Sequence, residues 1–264
     1  MKTWTTLKIR RAKGEAKLAC LTAGDFAMAR LLDAAGIPLI LAGDSLGMSM
    51  LGFANTLPVT MAHMLHHTAA VARGAQNALV VADMPFMSYQ ASEEEALRNA
   101  GRFLKEAGAD AVKIEGGAFR APLVRRLVEN GIPVLGHIGL TPQTLNEVGG
   151  YRVQGRTAPQ ADALVADAKA LEAAGVFAMV IECVPVELGG RITREVSVPT
   201  IGIGAGPQCD GQVLVLNDFL GLTESPPKLA KAYLDMTAQI RSALARYVEE
   251  VAQGVFPGEG QCYK

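Results

Sequence analysis

The chain has almost no excess charge of either sign: 25 Lys and Arg stand against 26 Asp and Glu, a net of -1. Composition therefore offers no case for a nucleic-acid or anionic-membrane partner. No apolar run approaches the ~20 residues of a membrane span. The basic N-terminus (Lys2, Lys8, Arg10, Arg11, Lys13) is not followed by an apolar stretch long enough for a signal peptide. The four cysteines, Cys20, Cys183, Cys209 and Cys262, are scattered with no C-x-x-C, and read as reduced cytosolic thiols. No G-x-G-x-x-G follows the first strand, and there is no H-E-x-x-H. The expectation is a soluble, cytoplasmic protein.

What is present is apolar material in short, punctuated runs. Half of the 264 residues are apolar and only 5% are aromatic, which suits aliphatic helices packed on buried strands. Runs at 17–22, 37–43, 78–82, 111–114, 133–136, 177–181, 199–203 and 213–216 read as strands. Helices are expected at 4–13, from Asp25 to Ala35, at 61–73 after Thr60, from the Ser92 capping box to Ala107, at 121–130, 160–174 and 185–195, and from Lys228 to Val251. Gly36, Gly108, Gly131 and Gly175 end helices and each precedes an apolar strand. Alternating units whose strands lack polar alternation predict parallel pairing with both faces buried. The expected fold is α/β, a (β/α)8 TIM barrel in one domain over 1–264, with a short N-terminal helix, a long C-terminal helix and a loosely held tail. An open doubly wound sheet is the alternative.

Several of these strands leave the core on a polar residue: Asp44, Asp83, Glu115, His137 and Glu182. Strand C-termini share one face of a barrel, and that face holds the active site. Asp44 and Asp83 follow fully apolar strands, where a carboxylate is costly unless it is paired or holds a metal. Together with Glu115 they suit a hard divalent cation such as Mg²⁺; capping of the next helix is the other reading. Lys113 and Glu115 alternate with Val112 and Ile114, so both point into the barrel in that register. Lys113 would hold a substrate carboxylate or pair internally with Glu115. His137 suits catalysis, substrate contact or structural hydrogen bonding. Glu182 suits a general base or an ion-paired neighbour of the site. His63, His66 and His67 share a helix and read as packing or capping residues. Cys183 has no local histidine to activate it. The glycines of Gly202–Gly206 serve a tight turn or a phosphate cradle. These residues describe a metal-dependent enzyme acting on a small anion by proton abstraction next to a carbonyl.

Longer ordered motifs carry more. Ala42-Gly43-Asp44-Ser45-Leu46-Gly47-Met48, Thr56-Leu57-Pro58-Val59-Thr60, Asp83-Met84-Pro85-Phe86-Met87, Val112-Lys113-Ile114-Glu115-Gly116-Gly117, Gly136-His137-Ile138-Gly139-Leu140-Thr141-Pro142-Gln143, Gly149–Arg156, Glu182-Cys183-Val184-Pro185 and Ile201–Gly206 resemble the ketopantoate hydroxymethyltransferase family. The resemblance spans essentially the whole chain. It implies a barrel of the phosphoenolpyruvate mutase/isocitrate lyase superfamily. The implied reaction moves a hydroxymethyl group from 5,10-methylenetetrahydrofolate to 3-methyl-2-oxobutanoate, giving 2-dehydropantoate at the start of pantothenate synthesis. Mg²⁺ and a homodecamer are implied with it. By matching motifs, Asp44, Asp83 and Glu115 would hold the metal. Asp44, Ser45, Asp83, Lys113 and His137 would contact the keto acid, and Glu182 would accept its proton. Two places depart from the family pattern: Gly24, where an aromatic is expected, and Phe53-Ala54-Asn55, where polar residues are expected. A superfamily lyase is disfavoured because K-K-C-G-H is missing. A non-catalytic metal and carboxylate binder is disfavoured by the intact carboxylate set.

Overall fold

The computed structural model describes residues 2–263 and parts into two compact units, Met1–Val215 and Leu216–Lys264. The first is a closed barrel of eight parallel strands in chain order. They are β1 (Leu18–Thr22), β2 (Leu39–Ala42), β3 (Leu79–Asp83), β4 (Ala111–Glu115), β5 (Val134–Gly139), β6 (Ala178–Glu182), β7 (Thr200–Ile203) and β8 (Gly211–Leu214). β8 closes on β1 through Leu18 beside Gly211. The expected (β/α)8 barrel is therefore the observed fold. Strand bounds shift from expectation by up to three residues. β5 runs on through His137 to Gly139, pairing with β6 from Leu135 onward, and β8 both begins and ends two residues earlier.

Some of the helices between strands begin where local side chains satisfy their first free N–H groups. Asp25 accepts from Met28 N at 2.9 Å, and Ser92 accepts from Glu95 N at 3.2 Å. A full reciprocal capping box lies at Thr60, with His63 as its partner. At Ser92 only the N-cap half is formed.

Alternation along each strand sorts side chains into two cores. Outward residues such as Ala82, Val112, Ile114 and Ile181 pack with helix residues including Phe103, Leu127, Leu171 and Ile192. Inward residues, among them Leu39, Leu79, Ala111, Leu135, Val180 and Ile201, form the barrel interior. Ile9, fully buried on the helix Thr6–Arg11, belongs to that interior cluster, and Trp4 packs against it. This segment is tied to the N-terminal ends of strands: Lys2 pairs with Asp110 at 2.6 Å, and Lys13 with Asp210 at 2.8 Å. It seals the end of the barrel opposite the polar strand ends.

In the second unit, a short helix Leu216–Leu220 is followed by a non-helical stretch and the helix Met236–Ala252. The long helix starts later than expected at Lys228. Pro226 and Pro227 lie just ahead of that point, and Asp235 supplies the N-cap by accepting from Ala238 N at 3.1 Å. Phe219 stacks on Tyr233 with ring centroids 4.7 Å apart. Thr237 Oγ1 donates to the Gly221 carbonyl at 2.7 Å. The tail ends in a 3-10 turn, Glu259–Gln261. Among the described residues, no helix is long and apolar enough to cross a membrane.

Candidate active site

The polar strand ends occupy the inward row of the barrel, one step above its apolar interior. On β3 the row reads Leu79, Val81, Asp83; on β4, Ala111, Lys113, Glu115; on β5, Leu135, His137; on β6, Ala178, Val180, Glu182. Strand register then decides neighbours: Asp83 lies beside Lys113, and Glu115 beside His137. The expected inward register of Lys113 and Glu115 is the observed one.

Asp44 caps the end of β2 and is almost fully buried, as are Asp83, Lys113, Glu115 and His137. The Asp44 backbone N–H donates to Asp83 Oδ2 at 3.0 Å. Lys113 Nζ is 2.6 Å from Asp83 Oδ1 and 3.8 Å from Glu115 Oε1. It also lies 3.1 Å from His137 Nδ1, which faces Glu115 Oε1 at 3.5 Å. On its other side, His137 Nε2 is 3.2 Å from Glu182 Oε2. Glu182 is the acid nearest the mouth, its side chain 14% exposed. Ser45 is half-buried and makes no side-chain cap bond to the helix Leu46–Ser49 that it precedes. A Cβ on Gly43 would lie 3.1 Å from Ser45 Oγ and 3.5 Å from Asp83 Oδ2, so the glycine keeps that approach open. All the site residues expected from sequence thus lie on the β2–β6 side of one barrel end.

The electrostatics follow from burial. Asp44, Asp83 and Glu115 outnumber the single obligate cation, Lys113. Burial raises the Asp44 carboxyl well above its ordinary range, and the charges of Asp83 and Glu115 raise it further. Burial also raises Asp83, although Lys113 pulls the other way. For Glu115, burial acts upward, but the neighbouring His137 and the Lys113 charge outweigh it and bring the group down. Lys113 is raised despite burial because carboxylates surround it. Burial and Lys113 press His137 down, yet Glu115 and Glu182 lift it to about 9.

Among the described residues, no three His, Cys, Asp or Glu side chains form a ready-made metal cage. Glu115 Oε1 is nevertheless buried with no hydrogen bond. Buried carboxylates in excess over cations are the donor set that a hard divalent cation satisfies.

Other candidates resolve locally. His63 caps its helix, and His67 Nδ1 lies 2.7 Å from the Gly24 carbonyl. The departure at Gly24 has a steric counterpart, since a Cβ there would meet Met50 Sδ at 2.2 Å. Phe53, in the other departing loop, lies against the His63 ring at 6.0 Å. Gly204 and Gly206 take left-handed φ values of 65° and 90°, as a tight turn after β7 requires. Burial raises the Cys183 thiol, and Glu182 adds to that, which disfavours a thiolate.

Three residues were not singled out as site residues. Gln143 and Tyr89 are buried against the carboxylates, and Tyr151 on the loop after β5 donates from its hydroxyl to Met48 Sδ at 3.5 Å. Gln143 ends the motif Gly136–Gln143, directly after Pro142, which is its only sequence signal.

The sequence model for the family described as ketopantoate hydroxymethyltransferase matches residues 2–259. The chain belongs to the ketopantoate hydroxymethyltransferase family. It is 55% identical over 262 residues to a 3-methyl-2-oxobutanoate hydroxymethyltransferase of Syntrophus aciditrophicus, covering 99% of this chain and 96% of that one. A protein of the same name from Geotalea daltonii is 53% identical over 264 residues, covering 99% of each. Among solved structures, a 2,3-dimethylmalate lyase of the PEP mutase/isocitrate lyase superfamily superposes with a TM-score of 0.61 at 15% identity, covering 98% of this chain and 91% of that one, a likeness of fold. Membership of the ketopantoate hydroxymethyltransferase family makes the chain an enzyme, a hydroxymethyltransferase of the pantothenate pathway.

Proposed function

We propose that the chain transfers the one-carbon unit of 5,10-methylenetetrahydrofolate to C3 of 3-methyl-2-oxobutanoate, giving 2-dehydropantoate. The observation that carries this reading is the continuous row from buried Asp83 through Lys113 and His137 to the part-exposed Glu182. It would join an anion-binding end to a proton-accepting end. The relatives' names supply the keto acid.

The Lys113 ammonium, already beside Asp83, offers its positive charge to the keto-acid carboxylate, and Ser45 Oγ contributes a hydrogen bond. Glu182 takes the C3 proton, and the electron pair moves into the neighbouring carbonyl as an enolate. His137 Nε2 lies 3.2 Å from Glu182 Oε2 and holds the carboxylate that takes the proton. Water adds to the methylene carbon, the carbon–nitrogen bonds break, and tetrahydrofolate leaves with its nitrogens protonated, so that the carbon remains as a formaldehyde-level unit. C3 of the enolate bonds to that carbon, and its oxygen takes up the proton held by Glu182 to become the hydroxyl. Mg²⁺ would be held by Asp44 and Asp83, with Glu115 reaching it through water, and would polarise the keto-acid oxygens. Mg²⁺ keeps several waters and binds through one or two carboxylates plus substrate oxygens, a demand that Asp44 and Asp83 would meet.

A homo-oligomer, a decamer by family resemblance, belongs to the same proposal. The helix Met236–Ala252 has no buried residue and exposes Ile240, Leu244, Tyr247, Val248 and Val251, an apolar surface that self-association would cover. The four free cysteines fit a cytoplasmic setting.

The test is direct: folded protein, Mg²⁺, 3-methyl-2-oxobutanoate and methylenetetrahydrofolate are mixed and 2-dehydropantoate is measured. Product is expected. Its absence, with the protein folded and the keto acid bound, overturns the reading.

A further inference from the structure

Gln143 bonds to two of the site's carboxylates, one through its backbone N–H and one through its side-chain amide. It sits in the 3-10 turn Pro142–Thr144, where the chain folds back over the barrel end after β5, and it is 4% exposed. Its backbone N–H donates to Glu115 Oε2 at 3.0 Å. Its side-chain Nε2 donates to Asp44 Oδ2 and to the Met84 carbonyl, each at 2.9 Å. Its Oε1 accepts from Tyr89 Oη at 2.7 Å and from Gln90 Nε2 at 3.2 Å.

This network permits one amide orientation. Tyr89 Oη accepts the Glu115 backbone N–H at 3.3 Å, so its own proton points to Gln143 Oε1. A flipped amide would set its oxygen against the Asp44 carboxylate and the Met84 carbonyl, both acceptors. Tyr89 therefore fixes Gln143, and Gln143 fixes the carboxylates. One oxygen of Asp44 and one of Glu115 are committed to the protein. The other oxygen of Glu115 stays buried with no hydrogen bond.

We infer that Gln143, oriented by Tyr89, is a positioning residue for divalent-cation binding: it holds Asp44 and Glu115 so that the uncommitted oxygen of each serves the cation. The inference rests on the proposed function's reading of Asp44, Asp83 and Glu115 as the cation's residues. It adds that their affinity depends on a glutamine that does not itself touch the cation. Groups bonded to metal ligands in this way commonly account for 10- to 100-fold in affinity. A glutamine serving only to fill space would show no such dependence.

The experiment measures Mn²⁺ affinity by electron paramagnetic resonance, without keto acid or folate, for the full chain and for the variants Gln143→Met and Tyr89→Phe. Gln143→Met keeps the side chain's length and removes the donor. The expected result is a 10- to 100-fold rise in the Mn²⁺ Kd for Gln143→Met and a several-fold rise for Tyr89→Phe, with circular dichroism unchanged. In turnover, the Mg²⁺ concentration giving half-maximal rate rises, while kcat at saturating Mg²⁺ falls much less. Unchanged Mn²⁺ affinity in both variants overturns the inference and leaves the proposed function standing. An unmutated chain that binds no Mn²⁺ overturns the inference together with the reading beneath it. Should Gln143→Met fail to fold, Tyr89→Phe decides alone.

Discussion

Lys113 Nζ lies 2.6 Å from Asp83 Oδ1, and the two residues are direct neighbours across the β3–β4 register. Both side chains are about 4% exposed. The pair is thus built by the strand ladder itself, and it sets the electrostatics around it. Removing one partner of such a pair leaves a buried charge uncompensated. Lys113→Met is expected to destabilise the fold by about 3–5 kcal/mol, read from urea denaturation at neutral pH. A loss below about 1 kcal/mol, the range of an exposed pair, would show that Asp83 is not ionised there.

Glu182→Gln keeps the shape of the proposed base and removes its proton-accepting oxygen. Keto-acid binding should change little, while kcat drops by about 10²- to 10⁴-fold. Exchange of the substrate's C3 proton with deuterated water, followed by NMR, separates the two effects. Undiminished exchange would remove Glu182 as the base.

Gly139 ends β5 beside Glu182, with φ at 90°. A Cβ there would lie 2.2 Å from the Glu182 carbonyl oxygen, a backbone atom that cannot step aside. Gly131 has a similar φ of 80° but open space around it. Gly131→Ala should cost only the left-handed backbone penalty, about 1–2 kcal/mol. Gly139→Ala should cost more and should also lower turnover by shifting Glu182. Equal destabilisation of the two variants would show that the strand relaxes around the clash.

The His137 value of about 9 gives a pH dependence with a definite sign. A histidine raised above its unfolded value near 6.5 contributes stability that is fully present below that pH. The contribution is lost as pH rises through about 9. The cation-free protein should therefore lose stability between about pH 6.5 and 9, and His137→Gln should flatten that part of the curve. Denaturation midpoints across this range, compared for the two proteins, provide the check.

The barrel and most of the site were legible because one local rule governs both. Apolar runs of strand length ended on Asp83, Glu115 and Glu182, and strand alternation alone turned Lys113 and Glu115 inward together. Gln143 was not legible as a site residue. Its bond to Asp44 joins residues 99 apart in sequence, and no periodicity reports how the loop after β5 folds back. The late start of the helix Met236–Ala252 was lost for another reason. The apolar pattern from Lys228 is helix-compatible, but the cap that begins the helix is Asp235.

Ile9 and Trp4 close the N-terminal end of the barrel interior, so traffic to the polar row comes from the strand C-terminal end. On the proposed function, two reactants would share that one doorway and would have to queue. A small keto acid, held deepest beside Lys113, would enter first, and a bulkier folate would close over it. The spent carrier would then depart before the new product. An ordered sequence of arrivals and departures is the expected outcome, which initial-rate and product-inhibition patterns would display.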